Sequence, residues 1–224
     1  MSSKAPQSNT SPPGLLAWAL LSLPLVLVTL GCLALYGGEA QVAAHFAQWR
    51  AEHQTAALLL SFYTNYGNAA FYLVYLGIFI QALRQRDTKG LSLALGYLAA
   101  QLAVSFLAVR ILKMSIGRPR PLVGGPWVPF TADPGHHSMP SGHSVDFTVQ
   151  TLPLALRARS LFLPVLLGLA LGLMAFSRLA LGWHHPSDVL CGWALGTLGG
   201  LLAQAVAARL HTRFSNRPLT GWKP

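Results

Sequence analysis

Residues 91–112 read LSLALGYLAAQLAVSFLAVRIL, a 22-residue run in which Arg110 is the only charge. As a helix it rises about 33 Å, enough to cross a bilayer's hydrocarbon core of about 30 Å. Apolar runs recur at about 14–36, 57–83, 143–156, 160–177 and 188–210. Backbone polar groups find no water in hydrocarbon, so each run predicts a helix. The expected fold is an all-α polytopic membrane protein with about six transmembrane helices. The runs at 143–156 and 160–177 are shorter than a full crossing, and both border polar segments. That pattern predicts a reactive site sunk to headgroup depth.

Composition points to lipid as the solvent. The chain has 224 residues, 53% hydrophobic and only 10% charged, whereas a water-soluble domain carries about 25% charged residues. The length fits one domain, 1–224. A formal net charge of +10 raises nucleic-acid binding as a reading. The cations form no basic stripe with interleaved aromatics, so no nucleic-acid partner is expected. Six alternating spans put Lys4, Arg84, Arg86, Lys89, Arg157, Arg159, Arg209, Arg213, Arg217 and Lys223 on one side. Apart from Arg110 and a compact cluster described below, the other side has Arg50. The excess of cations predicts that both termini are cytoplasmic and that loops 37–56, 113–142 and 178–187 lie outside.

Residues 1–13 read as a cytoplasmic tail rich in Ser and Pro, and 211–224 as a basic, loosely ordered one. Thr29-Leu30-Gly31-Cys32 is a poor lipoprotein cleavage site, because Thr29 stands where leucine is expected, so the first run is read as a retained span. Cys32 and Cys191 fall within apolar runs, which predicts no disulfide, and their spacing offers no metal site. In loop 37–56, Val42, Phe46 and Trp49 recur at helical intervals, with Glu39, Arg50 and Glu52 elsewhere. A short helix lying at the interface is expected there.

Two outer loops concentrate unusual residues. One contains Lys113, Arg118-Pro119-Arg120-Pro121 and Pro140-Ser141-Gly142-His143; the other contains Ser177-Arg178 and His184-His185-Pro186-Ser187-Asp188. Lys113, Arg118, Arg120 and Arg178 would repel one another unless an anion sits among them. The planar fork of arginine suits phosphate oxygens, each charge-assisted bond contributing about 1.5–3 kcal/mol. Ser141-Gly142-His143 opens a helix, whose free N–H groups also favour an anion. Pro186 suits a first helical turn, which places Asp188 in that turn and His184 just before it. Singly, such residues are interfacial anchors or caps; three separated segments brought to one membrane face read as a phosphate site.

Together these residues resemble the type 2 phosphatidic acid phosphatases, a family that includes the vanadium haloperoxidases. Its motifs, Lys-x6-Arg-Pro, Pro-Ser-Gly-His and Ser-Arg-x5-His-x3-Asp, are matched at Lys113 to Arg120-Pro121, at Pro140 to His143, and at Ser177-Arg178, His184 and Asp188. The resemblance covers about 57–210. It implies His184 as the nucleophile of a phosphohistidine, Asp188 as its orienting carboxylate, and His143 as the acid for the leaving oxygen. It implies that Lys113, Arg120, Ser141, Gly142 and Arg178 hold the phosphoryl oxygens, with no metal and no cofactor. The family spacing selects Arg120 over Arg118, leaving Arg118 as an auxiliary phosphate or rim contact, and selects His184 over His185.

The chemistry agrees. Phosphoryl transfer depends mostly on positioning and charge neutralisation, and nearby cations disfavour imidazolium, keeping His184 nucleophilic. His136 and His137 with Asp133 read as an ordinary polar loop rather than a metal site. Trp127 and Phe130 read as interfacial aromatics, and Thr64 to Asn68 as a polar packing patch with a headgroup role as the alternative. Arg110 and Asp146 each lie one turn deeper than Lys113 and His143, so an Arg110–Asp146 ion pair is expected as the floor of the site.

The resemblance implies a lipid phosphate or diphosphate substrate, in the bacterial inner (plasma) membrane with the site facing the periplasm or exterior. The small six-span form is similar to bacterial undecaprenyl diphosphate phosphatases. Lipid A 1-phosphate, phosphatidylglycerophosphate and phosphatidic acid are rival substrates, and a lipid phosphotransferase is a rival reaction. Haloperoxidases are soluble, which this chain is not expected to be. A non-catalytic lipid-binding protein or transporter would need no nucleophile with an orienting carboxylate.

Overall fold

The computed structural model describes residues 14–216, so Lys4 and the expected tail 1–13, with Arg217, Lys223 and most of the expected tail 211–224, lie outside the described residues. The described residues form helices α1 (Gly14–Tyr36), α2 (Glu39–Glu52), α3 (Gln54–Gln85), α4 (Thr88–Ala100), α5 (Val109–Ile116), α6 (Gly142–Leu156), α7 (Phe162–Ala180) and α8 (Pro186–Asn216). A π-helical segment, Gln101–Ala108, joins α4 to α5, so Thr88–Ile116 runs as one span. Helix α8 continues to Asn216, well past the end expected near 210, because no proline or glycine interrupts it there.

Among the described residues, five helices are long and apolar enough to cross a membrane: α1, α3, the span Thr88–Ile116, α7 and α8. Helix α6 has 15 residues, about 22 Å of rise, which is short of a full hydrocarbon core. It is enclosed by protein, with Val145, Phe147, Val149 and Leu152 at 0–1% exposure. Around it the bundle turns large apolar side chains outward, among them Leu58 and Phe62 on α3, Phe106 on the π segment and Leu169 on α7. Large apolar side chains facing outward are the arrangement that lipid allows.

Helix α1 packs along α7, and α8 packs along both α6 and α4. Small residues permit the α6–α8 approach. A Cβ on Gly192 would come within 2.5 Å of the Ser141 carbonyl oxygen and 3.0 Å of Ser144 Cβ. In lipid, where burial does not drive helices together, such close backbone packing carries the association. It holds the start of α6 against the start of α8. Helix α2 is the short helix expected in loop 37–56, and its Val42 and Phe46 are buried in the cluster that includes Leu21, Leu171 and Met174. Its apolar face therefore packs on the bundle.

Candidate active site

The polar residues of the two outer loops converge because two helix ends, of α5 and α7, meet two helix starts, of α6 and α8. Lys113 lies in the last turn of α5, which Gly117 ends in the left-handed conformation, φ +61°. A side chain there would strike the Val128 carbonyl. The chain then runs outward and returns, with Arg120 N donating to Gly135 O at 2.9 Å and Ser138 N to Arg118 O at 3.0 Å. Lys113 Nζ donates to the His137 carbonyl at 2.6 Å. At the other end, Trp183 N and His184 N both donate to the Arg178 carbonyl, folding 181–185 tightly over the end of α7.

Asp188, fully buried in the first turn of α8, is the most heavily bonded carboxylate. Its Oδ1 accepts from Arg118 Nη1 at 2.7 Å. Its Oδ2 accepts from Ser138 Oγ at 2.6 Å and from the His185 backbone N–H at 2.8 Å. His184 Nδ1 stands 3.8 Å from the same Oδ2, within ion-pair reach and beyond a hydrogen bond. That nitrogen is buried without a hydrogen-bond partner. With Nδ1 turned to the carboxylate, Nε2 is the nitrogen turned away from it. Burial first, then the charges of Lys113 and Arg178, push the His184 imidazole down to about 3 against the opposing pull of Asp188. A neutral ring follows.

Three cations surround the histidines. Lys113, Arg120 and Arg178 all act electrostatically on His143 at the start of α6. Arg178 Nη1 donates to Thr64 Oγ1 at 3.0 Å, and its Nε has no partner. Arg120 and Arg178 both lie over the Trp183 ring, at 5.0 and 5.6 Å from its centre. Burial pulls the Arg120 guanidinium below its usual range. Ser141 precedes α6 in extended conformation and caps no N–H with its side chain, so the helix start stays open to an anion. His143 therefore shares Lys113 and Arg178 with His184, and Gly142 lies beside the Lys113 side chain.

Two expectations are corrected. Arg118 is no rim contact: it is 8% exposed and its guanidinium is consumed by Asp188, Ser187 Oγ at 2.6 Å, and Glu39 Oε2. Two nearby carboxylates draw it inward, whereas Arg120 has a carbonyl, Pro134 O, and no carboxylate. The Arg110–Asp146 ion pair is absent among the described residues; Gln101 Nε2 donates to Asp146 Oδ1 at 3.1 Å and Arg110 is exposed. An offset of three residues sets depth along a helix but does not set the direction a side chain faces. Finally, Thr64, read as part of a packing patch, also accepts from Arg178 while it donates to Met174 Sδ on α7.

His185 donates from Nε2 to the Pro119 carbonyl at 3.2 Å. His136 bonds Asp133 and His137 bonds the Thr131 carbonyl, so both serve the loop. Sequence reading missed Glu39 and Ser138. The chain has only 6 acidic residues beside its many cations, and that scarcity was the available signal for Glu39. Beside the site, a groove of about 480 Å³ opens between α2 and the 118–127 loop, lined in part by Ala40, Ala44, Arg120, Trp127 and His185.

Residues 89–211 match the PAP2 superfamily. A lipid A 1-phosphatase of Rhizobium johnstonii is 30% identical over 179 residues, covering 71% of this chain and 70% of the relative. A lipid A 1-phosphatase of Rhizobium etli is 33% identical over 134 residues, 56% of this chain and 55% of the relative. A decaprenylphosphoryl-5-phosphoribose phosphatase of Mycobacterium tuberculosis is 38% identical over 97 residues, 43% of this chain and 51% of the relative. The chain thus spans about half the length of the last two. No solved structure matches it significantly.

Proposed function

The chain belongs to the PAP2 superfamily, and on that premise we propose that it is an integral membrane lipid phosphatase working through a phosphohistidine. The observation that carries this reading is the meeting of buried His184 with Asp188, 3.8 Å from its Nδ1, within reach of the charges of Lys113 and Arg178. In the proposed reaction, Nε2 of His184 attacks phosphorus while the bond from phosphorus to the lipid's oxygen breaks. His143, which carries a proton once the substrate's phosphate anion offsets the charges of Lys113, Arg120 and Arg178 around it, gives that proton to the leaving oxygen. Water then attacks the phosphohistidine, losing its proton to His143, and releases inorganic phosphate. Lys113, Arg120, Arg178 and the open start of α6 hold the equatorial oxygens, whose charge must be neutralised throughout. No metal enters this scheme.

The positive-inside distribution supports an outer-face site, facing the periplasm or exterior of a bacterial inner membrane, with α6 as the short sixth crossing. For the substrate, the relatives' names favour lipid A 1-phosphate over the undecaprenyl diphosphate suggested by size and span number. Polyprenyl-linked phosphoribose is the next choice. The groove beside Arg120 gives a headgroup of such size a place to lie. The test is phosphate release by purified protein from lipid A, a polyprenyl phosphoribose lipid, undecaprenyl diphosphate, phosphatidylglycerophosphate and phosphatidic acid. Release from lipid A above the rest is the expected result; release from none overturns the reading.

A further inference from the structure

Glu39 stands at the start of α2, fifty residues before the segment that matches the family. Its Oε1 accepts from the Ser187 backbone N–H at 2.9 Å, and its Oε2 accepts from Arg118 Nη2. Arg118 in turn donates through Nη1 to Ser187 Oγ and to Asp188 Oδ1. The three residues close a ring: the carboxylate holds the first turn of α8 directly, and again through the guanidinium. Burial pushes the Glu39 carboxyl up, but the bonds from Ser187 and Arg118 outweigh it and hold it below the usual range. It is an anion in this ring.

The charge balance gives the ring a purpose. Asp188 faces His184 Nδ1 at 3.8 Å, and its negative charge is what would stabilise the ring once Nε2 bonds phosphorus and the imidazole becomes cationic. Yet Arg118 sits on Asp188, and that pair alone sums to zero. Glu39 on the far side of the guanidinium returns the group to one net negative charge. Its backbone contact also holds α8 so that Asp188 cannot follow Arg118 away from His184.

We propose that Glu39 is a positioning residue for phosphoryl transfer, setting Arg118, Asp188 and the start of α8 against His184. The proposal rests on the phosphohistidine reading above. Since the Glu39 carboxylate bonds Arg118 and Ser187 and none of Lys113, Arg120 and Arg178, it should act on the chemical step and leave substrate binding alone.

The experiment uses the full-length protein in detergent, with Glu39→Gln, Glu39→Asp, Arg118→Met and the double variant Glu39→Gln/Arg118→Met. Glu39→Gln keeps the shape and removes the charge; kcat should fall about tenfold, with KM within about twofold. Glu39→Asp, which restores the charge one methylene short, should recover part of kcat. In the Arg118→Met background, Glu39→Gln should cost little further. Wild-type kcat in Glu39→Gln, or losses that multiply in the double variant, would overturn the proposal. Thermal midpoints of the same proteins test the linkage independently of turnover: the double variant should lose less than the sum of the singles, and additive losses overturn it. Should the wild-type protein release no phosphate from any lipid, the phosphatase reading falls on that result, and the thermal comparison alone decides whether Glu39 is coupled to Arg118.

Discussion

Arg118 donates to Asp188 Oδ1 at 2.7 Å while Asp188 Oδ2 takes the Ser138 hydroxyl at 2.6 Å. The carboxylate that faces His184 is thus held twice from the 113–142 loop, once on each oxygen, and its direction is set before any substrate arrives. Removing Arg118 leaves a fully buried Asp188 short of its cation and Glu39 with only its bond from the Ser187 backbone N–H. Stranding one member of a buried pair costs about 3–5 kcal/mol, less here because Glu39 is partly solvated. Arg118→Ala should therefore lower the thermal midpoint in detergent clearly, and by more than Arg120→Ala. A smaller shift than for Arg120→Ala would mean that Arg118 holds nothing.

His184→Ala should abolish phosphate release and the acid-labile phosphoenzyme, because among the described residues no other imidazole is set against Asp188. His185→Ala loses a bond to the Pro119 carbonyl and should retain most activity. Rapid-quench labelling with a radioactive lipid phosphate reads both. Labelled protein in His184→Ala would refute the assignment.

Thr64 fixes one end of the Arg178 guanidinium, at 3.0 Å. Thr64→Val preserves volume and removes the acceptor, worth roughly 1 kcal/mol, so kcat/KM should fall about fivefold. Arg178→Ala should cost about a hundredfold or more, as loss of an oxyanion donor does. Steady-state kinetics on one lipid measure both; a Thr64→Val loss as large as that of Arg178→Ala would mean a direct role for Thr64.

The proposed site offers cations where a divalent-metal site would offer oxygen ligands. Phosphate release should continue in EDTA, and vanadate should inhibit competitively by occupying the phosphate position. Activity lost to EDTA and restored by Mg²⁺ would replace the mechanism.

His184 is held neutral when folded, at about 3, against an ordinary 6.5. Between those values the unfolded chain binds a proton that the folded chain does not, so stability falls as pH drops through this window. The wild-type thermal midpoint should drop more steeply from pH 7 to pH 4 than that of His184→Gln. Parallel curves would show that the folded imidazole titrates normally.

Much of the molecule was legible without coordinates. Long apolar runs prescribe helices because hydrocarbon leaves the backbone no other partner. Motif spacing then brings Lys113, Arg120, His143, Arg178, His184 and Asp188 to one end of the bundle, since residues at helix ends on the same side must gather there. Spacing also gave Arg110 and Asp146 a common depth, and it could give no more than depth. Which way each side chain faces depends on how the helices are rotated and packed, and that rotation sends Arg110 outward and brings Gln101 to Asp146. The partners of Arg118 and the reach of Thr64 to Arg178 were likewise decided only in three dimensions. Glu39 and Ser187 are separated by 148 positions. A carboxylate that far away leaves no periodic trace in the chain; it meets Ser187 and Arg118 because α2 packs its apolar face on the bundle and turns Glu39 to the start of α8.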